Sequence, residues 1–174
     1  NQLNVVSQEN IGYQSGIKSL WDILDKTVTC LGKRHLKYKL LNPIVDIPEL
    51  NNIYGCVEFM QQKHMYKETE HRLYEITRLM LQPVCDIERI HRKMAVQIMQ
   101  PQDFTTLDMS YRSIVQLIQY FKPINSIYIN KICPSTSILR TFNEYIDDYR
   151  SKIRMDKIVG LNQSDIIESF FEKL

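Results

Sequence analysis

Between Pro101 and Pro123 the apolar residues Phe104, Leu107, Tyr111, Ile114, Ile118 and Phe121 recur at steps of 3, 4, 3, 4 and 3. The 3.6-residue period of an α-helix puts such a series on one face. The prolines bound it. Pro101 fits a first helical turn, where no N–H is required, and Pro123 cannot continue the helix. A helix of about twenty residues is roughly 30 Å long. Its apolar stripe must be covered by other elements. This stretch therefore asks for partner helices, and the expected fold class is all-α, an irregular helical bundle.

Other periodic stretches supply them. Asp46-Ile-Pro-Glu49 is a helix start: Asp46 caps, Pro48 lies in the first turn, and Glu49 fits a capping box. Leu50, Ile53, Val57 and Met60 then share one face, with Gly55 inside costing about 1 kcal/mol of helix preference unless another helix packs close. Tyr66, Thr69, Leu73, Ile76 and Met80 form the next face, ended by Pro83. Asp86 caps a helix that turns Ile87, Ile90, Met94 and Ile98 inward. Pro123 and Pro134 bracket a short helix at Asn125 to Lys131. Ile138, Phe142, Tyr145 and Tyr149 follow behind Ser135 or Thr136. Ser164 caps a last helix with Ile167, Phe170, Phe171 and Leu174 apolar. At the other end, Leu3 to Val6 reads as one short strand or an extended lead-in, and Ile11 to Gly16 as a loop.

Composition narrows the class. The chain's 174 residues, 44% hydrophobic and 24% charged, suit one globular domain with a real core. A net charge of +2 is low for a dedicated nucleic-acid-binding domain. Cys30, Cys56, Cys85 and Cys133 include no C-x-x-C pair, which argues against a zinc ribbon; a helical chain of this kind with free thiols fits a reducing intracellular compartment. No apolar run reaches the 18 residues or so of a membrane span. The chain opens at Asn1 without Met and reads as a segment of something longer.

One further stretch has a specific order of parts: Ser19 to Asp46, S-L-W-D-I-L-D-K-T-V-T-C-L-G-K-R-H-L-K-Y-K-L-L-N-P-I-V-D. It reads as an apolar helical turn, a tight connector and a second helix. Thr29 is the natural N-cap of that helix. Leu36 and Leu40 lie on one face with Lys33, Arg34 and Lys37 spread over the other, and Pro43 ends the helix near Leu41. This order resembles the core of the MutS family of DNA mismatch-repair ATPases, which carry S-L-x-x-x-L-D-x-T-x-T-x-x-G-x-R-x-L and a following P-x-x-D. Ser19, Leu20, Leu24, Asp25, Thr27, Thr29, Gly32, Arg34, Leu36, Leu41, Pro43 and Asp46 match the family's run. Cys30-Leu31 stand where bacterial members have Pro-Met, and Tyr38-Lys39 where the family often has a basic residue and Trp. A second piece, D-I-E-R-I, resembles the family's D-L-E-R-x-x-x-[KR] through Asp86, Glu88, Arg89 and Lys93.

The resemblance implies the first part of the family's core, or lever, domain. Residues 1–17 would be the incoming segment from a preceding connector domain, and 18–174 the helical core fragment, ending near the insertion of the DNA-encircling clamp. The implied role is non-catalytic: coupling the ATPase to the clamp. The parent protein would be a DNA-dependent ATPase and a dimer, would bind mismatched duplex DNA, and would use ATP and Mg in a domain other than this one. The partners implied are the connector, clamp and ATPase domains of its own chain, and no membrane. Two other readings stand beside this one: a MutS relative acting on recombination intermediates, and a helical protein-interaction scaffold unrelated to DNA.

The sequence itself offers little chemistry. There is no G-x-x-x-x-G-K-[ST], hence no phosphate cradle and no cofactor expected in this segment. F-N-E at Phe142 and F-F-E at Phe170 sit on expected helices and read as chance likenesses of the family's mismatch-reading Phe-x-Glu. His64, Glu68 and His71 at i, i+4 and i+7 have ligand-type spacing, but lack a fourth donor and sit among Lys67, Glu70 and Arg72; a solvated helix face is the better reading, and no metal is expected. His35 has no nucleophile motif around it, and no catalytic residue is expected. Lys33, Lys37 and Lys39 are the candidates for DNA-backbone contact, against the plainer reading of solubilising charge. Thr27, Thr29, Gly32, Arg34, Pro43, Asp46, Asp86, Glu88 and Arg89 are expected to be structural, with an ion pair among Arg34, Glu88 and Arg89 joining the two motif helices. Gly32 is expected to lie against another helix backbone.

Overall fold

The computed structural model describes Val5 and residues 19–124, 126–154 and 158. These residues build eight α-helices and one two-stranded sheet, so the chain is helical as its periodicity requires. The chain divides after Arg78 into two compact units. The expected strand or lead-in at Leu3 to Val6, apart from Val5, lies outside the described residues, as do the loop at Ile11 to Gly16 and the last helix behind Ser164.

The first unit begins with α1 (Leu20–Leu24), capped by Ser19, whose hydroxyl accepts the Asp22 N–H at 3.4 Å. The chain's one tryptophan, Trp21, is buried here and its backbone N–H bonds the Val5 carbonyl at 3.1 Å. α2 (Cys30–Leu41) follows Thr29, and α3 (Ile47–Met60) follows Asp46. On α2, Leu36 and Leu40 are half-buried while Lys33, Arg34 and Lys37 are exposed, the division that the sequence shows. On α3, Leu50, Ile53 and Met60 are half-buried but Val57 is exposed.

The next stretch departs from its periodicity. Tyr66 and Thr69 do not begin a helix. They belong to a hairpin of β1 (Lys63–Tyr66) and β2 (Thr69–Arg72), paired antiparallel with His64 opposite His71 and Tyr66 opposite Thr69. Lys67 and Glu68 make the connection with φ of 47° and 70°. Two central residues of positive φ are what a type I′ turn requires, and its twist suits paired strands. Only then does α4 (Leu73–Leu81) start. Glu75 accepts the Arg72 N–H at 3.0 Å, and Leu73 and Ile76 are almost fully buried.

The second unit holds the long helix. α5 (Ile87–Ala95), α6 (Pro101–Phe121), α7 (Ile127–Ile132) and α8 (Thr136–Lys152) are capped by Asp86, Gln100, Ser126 and Ser135. Its core joins Ile90 of α5, Leu107, Tyr111 and Val115 of α6, and Ile146 of α8, with Cys85, Ile87, Met99, Leu139, Phe142 and Tyr149 packed around them. Each such side chain removed from water contributes about 1.5–3 kcal/mol relative to exposure. α5 ends sooner than its pattern suggests. Gln97 turns to φ 57°, which leaves Ile98 beyond the helix and exposed; Met94, inside α5, is exposed as well rather than inward. On α8 the buried stripe is Leu139, Phe142, Ile146 and Tyr149, one position from the expected series at its start; Ile138 and Tyr145 face out. No described helix is long and apolar enough to cross a membrane.

Candidate functional site: two motif knots and a buried carboxylate

The first motif closes a small polar knot between α1 and α2. Asp25 ends α1, its N–H bonding the Trp21 carbonyl at 2.8 Å. Its carboxylate accepts the Thr27 hydroxyl at 2.6 Å and the Thr27 N–H at 3.1 Å, and meets the Lys33 ammonium at 3.2 Å. Thr27's hydroxyl holds the Asp25 carboxyl below its ordinary value, against a smaller opposing effect of burial, and the Thr27 N–H and Lys33 add to the lowering. Thr29 caps α2, accepting the Gly32 N–H at 3.0 Å. Arg78 donates to the Lys26 carbonyl in the same connector. A Cβ built on Gly32 would stand 3.0 Å from Thr29 Oγ1 and 3.6 Å from Thr27 Cβ. Gly32 is thus crowded by the two threonines of its own cap, not by another helix backbone. Pro43 follows the end of α2 at Asn42, and the Asp46 carboxylate accepts the Glu49 N–H at 2.9 Å to start α3.

The second motif starts α5 and ties it to α6. Asp86 accepts the Arg89 N–H at 3.3 Å. Glu88 lies in the first turn, where a negative charge suits the helix dipole. From the last turn, Lys93 reaches both oxygens of Asp103 at 2.9 Å, and Asp103 also accepts the Gln100 N–H at 2.8 Å. Burial works against the charged form of Asp103. The bonds from Lys93 and the Gln100 N–H outweigh it, with Arg89's charge adding, and the carboxyl sits below its ordinary value. Ion pairs at the motifs run from Lys33 to Asp25 and from Lys93 to Asp103. Arg34 lies in the first unit, Glu88 and Arg89 in the second.

The candidates for DNA contact do not form one surface. At 100° per residue, Lys33 and Lys37 are about 40° apart on α2, whereas Lys39 lies about 240° round from Lys33. Lys33 and Lys37 are exposed and Lys39 is half-buried. Lys33 is also engaged with Asp25.

A polar centre on α6 goes unread in the periodicity. Asp108 is buried, with Tyr149, Arg112 and Arg150 around its carboxylate. Ser110 is fully buried, accepts the Cys85 N–H at 3.0 Å and lies 2.7 Å from the Thr106 carbonyl. His91 bonds the Tyr111 hydroxyl. Burial pushes the Tyr111 phenol up to about 12, with Tyr145 adding. The Tyr149 phenol is raised too, by burial first and then by Asp108. The signal was present: Asp108 lies within the stripe Phe104, Leu107, Tyr111, and Arg112 follows it at i+4.

The remaining candidates that fall among the described residues are dispersed. The hairpin sets His64 opposite His71 and leaves Glu68 in the turn, so the helical ligand spacing does not exist. His71 Nε2 meets the Thr69 hydroxyl at 2.7 Å. His64 packs its ring edge-on to Phe59, its Nε2 buried without a hydrogen-bond partner. Among the described residues no group of three His, Cys, Asp or Glu could hold a metal ion. His35 is exposed. Phe142 packs on Tyr111 at 5.1 Å between ring centres, in the core; Phe170 lies outside the described residues. A cavity of about 260 Å³ among α6, α7 and the start of α8 is lined by Ile118, Lys122, Ile129, Cys133, Thr136 and Leu139. Burial raises the Cys133 thiol, which disfavours the thiolate a nucleophile needs.

The model of MutS domain III matches residues 1–174. A mutS-homologue DNA mismatch repair protein of Acanthamoeba polyphaga mimivirus is 35% identical over 176 residues, covering 99% of this chain and 15% of that protein. DNA mismatch repair protein MutS of Caldicellulosiruptor bescii is 29% identical over 98% of this chain and 18% of its own length. The MutS of Caldanaerobacter subterraneus is 27% identical over 90% of this chain and 17% of its own length. The chain thus spans less than a fifth of the length of these relatives.

Proposed function

We propose, from the premise that this chain belongs to the MutS family and spans its domain III, that it is a non-catalytic mechanical segment of a DNA mismatch-repair protein. In that protein it joins the ATPase to the DNA clamp and carries nucleotide-dependent displacement between them. ATP and Mg act in the ATPase domain. Mismatched duplex DNA is met by the whole dimeric protein, and the connector, clamp and ATPase domains are this segment's partners.

One observation carries the reading: the motif side chains are engaged in starting and tying helices. Asp25, Thr27 and Thr29 set the start of α2, Asp46 that of α3, and Asp86 that of α5; Asp103 bonds both the α6 start and Lys93. Such bonds fix where helices begin and how they lean on one another, which is what a force-bearing segment needs. Exposed apolar residues at the α2–α3 shoulder, Leu41, Val45, Ile47 and Tyr54, suit docking by the rest of a much longer chain.

The test is a fluorescence-anisotropy titration of the 174-residue chain with mismatched and matched duplexes at about 150 mM salt, where affinity depends steeply on the number of phosphates neutralised. The expected result is no ATP hydrolysis and at most weak, salt-sensitive binding without preference for the mismatch. Sub-micromolar binding that prefers the mismatch would overturn the reading and move Lys33, Lys37 and Lys39 into a binding surface.

A further inference from the structure

Asp108 lies about a third of the way along α6, with 5% of its side chain exposed. Three donors converge on it. The Tyr149 hydroxyl donates to Oδ1 at 2.7 Å, and Arg150 Nε stands 3.5 Å from the same oxygen. Arg112 Nε, one turn further along α6, is 3.1 Å from Oδ2. Two of the three donors therefore come from the last turn of α8. Apart from this centre, α8 meets the core through an apolar stripe of Leu139, Phe142 and Ile146.

An apolar stripe at helical spacing fixes which face is buried but resists axial sliding weakly. Packed helices can shift against each other by a whole turn, about 5.4 Å, and find equivalent contacts. A buried carboxylate cannot follow such a shift, because leaving its partners would strand a charge out of water. Its partners come as a pair of adjacent residues, Tyr149 and Arg150, so one axial position satisfies both. Near the start of α6, the Lys93–Asp103 pair does the same for α5.

We infer that Asp108 is a positioning residue that locks the end of α8 to α6, so that displacement arriving along α8 moves α6 and α5 as one body. The inference rests on the mechanical reading above and names the residue through which that movement is transmitted. Asp108 touches neither nucleotide nor DNA; it acts through the placement of α8.

The experiment uses the full-length protein with Asp108→Asn, Arg150→Gln and Arg150→Lys. DNA affinity is measured with and without ATP, ATP hydrolysis without DNA, and the melting temperature for each. Arg150 is 42% exposed in its side chain, so Arg150→Gln decides the matter should Asp108→Asn fail to fold. In Asp108→Asn and Arg150→Gln, basal hydrolysis and nucleotide-free DNA affinity are expected within about twofold of wild type, while the ATP-dependent change in DNA affinity falls about tenfold. Arg150→Lys keeps a cation in reach and retains the coupling. Folded variants with unchanged coupling overturn the inference, as does a proportional fall in hydrolysis, DNA affinity and coupling together, which marks a purely structural role. A wild-type protein whose DNA affinity ignores ATP overturns the mechanical reading itself, and this inference with it.

Discussion

Replacing Gly32 with Ala tests whether the first motif is a device for starting α2. Glycine costs a helix interior about 0.8–1.0 kcal/mol relative to alanine, and Gly32 has no positive φ that would demand it. On helix preference alone the substitution stabilises. The structure opposes that gain. The new Cβ would lie 3.0 Å from Thr29 Oγ1, the atom that accepts the Gly32 N–H. To admit the methyl group the hydroxyl must withdraw, and loss of such a cap costs about 0.5–2 kcal/mol. The two effects leave Gly32→Ala between about 0.5 kcal/mol stabilised and about 1 kcal/mol destabilised. With the hydroxyl removed first, the sign reverses. In Thr29→Ala the next nearest atom is Thr27 Cβ at 3.6 Å, an ordinary contact. There Gly32→Ala stabilises by up to about 1 kcal/mol. Urea denaturation of the four proteins gives a coupling energy, expected at about 1–2 kcal/mol, provided the m-values agree. An effect of Gly32→Ala that is equal in both backgrounds, to within about 0.5 kcal/mol, would refute the idea that the cap oxygen excludes a side chain.

Two further outcomes are expected. Asp86→Ala removes the cap of α5 and costs about 0.5–2 kcal/mol, read as a lowered melting temperature; an unchanged one would show that the Arg89 N–H is satisfied as well without it. Asp103, whose folded carboxyl lies below its ordinary value, contributes stability that is fully present above the unfolded value, near 3.9, and is lost as pH falls through the folded one. Asp103→Asn therefore lowers stability by about 1–2 kcal/mol at neutral pH and flattens the acid limb of a stability-against-pH curve; an equally steep acid limb in the variant would locate that sensitivity elsewhere.

The helices were legible where local rules agree with one another. Thr29, Asp46 and Asp86 occupy the caps read for them, because each precedes an apolar series and each cap satisfies an otherwise unpaired N–H. α6 runs from Pro101 to Phe121 as its stripe and prolines require. The hairpin was not legible. Its turn residues are Lys67 and Glu68 rather than Asn-Gly, so the strongest short-range hairpin signal is missing. Its apolar residues also fall at spacings that continue into α4, and a helical series absorbs them. Ile98 was misplaced because periodicity does not say where a helix stops; Gln97 in the left-handed region stops this one. On α8, Ile138 and Leu139 are both apolar, as are Tyr145 and Ile146, and sequence alone does not choose between two stripes one residue apart. At the first knot the neighbour expected for Gly32 was another helix backbone, and the structure puts the Thr29 hydroxyl there instead. A glycine in a motif announces close approach; it does not name the atom that approaches.

The carboxylates of Asp25, Asp103 and Asp108 share one arrangement, in which donors from the chain itself fill them. A catalytic carboxylate or amine must leave an acceptor or donor open toward a substrate. Here the opposite holds at each centre described. Asp25 takes three bonds, Asp103 takes Lys93 on both oxygens and an N–H besides, and Asp108 takes donors from two helices. Filled in this way, a carboxylate has little capacity left for a further donor, and the bonds hold the carboxyls of Asp25 and Asp103 below their ordinary values. What it does instead is fix a helix end, the part of a helix that otherwise frays. In the second unit the successive ties run from α5 through Lys93 to Asp103 at the start of α6, then through Asp108 to the end of α8. The first tie joins α5 and α6 near an end of each, and the second joins the end of α8 to the body of α6, so relative rotation of those helices would have to break a charged contact before it could begin. The coupling role proposed above would draw on these ties, because it needs a segment that passes a displacement on rather than absorbing it.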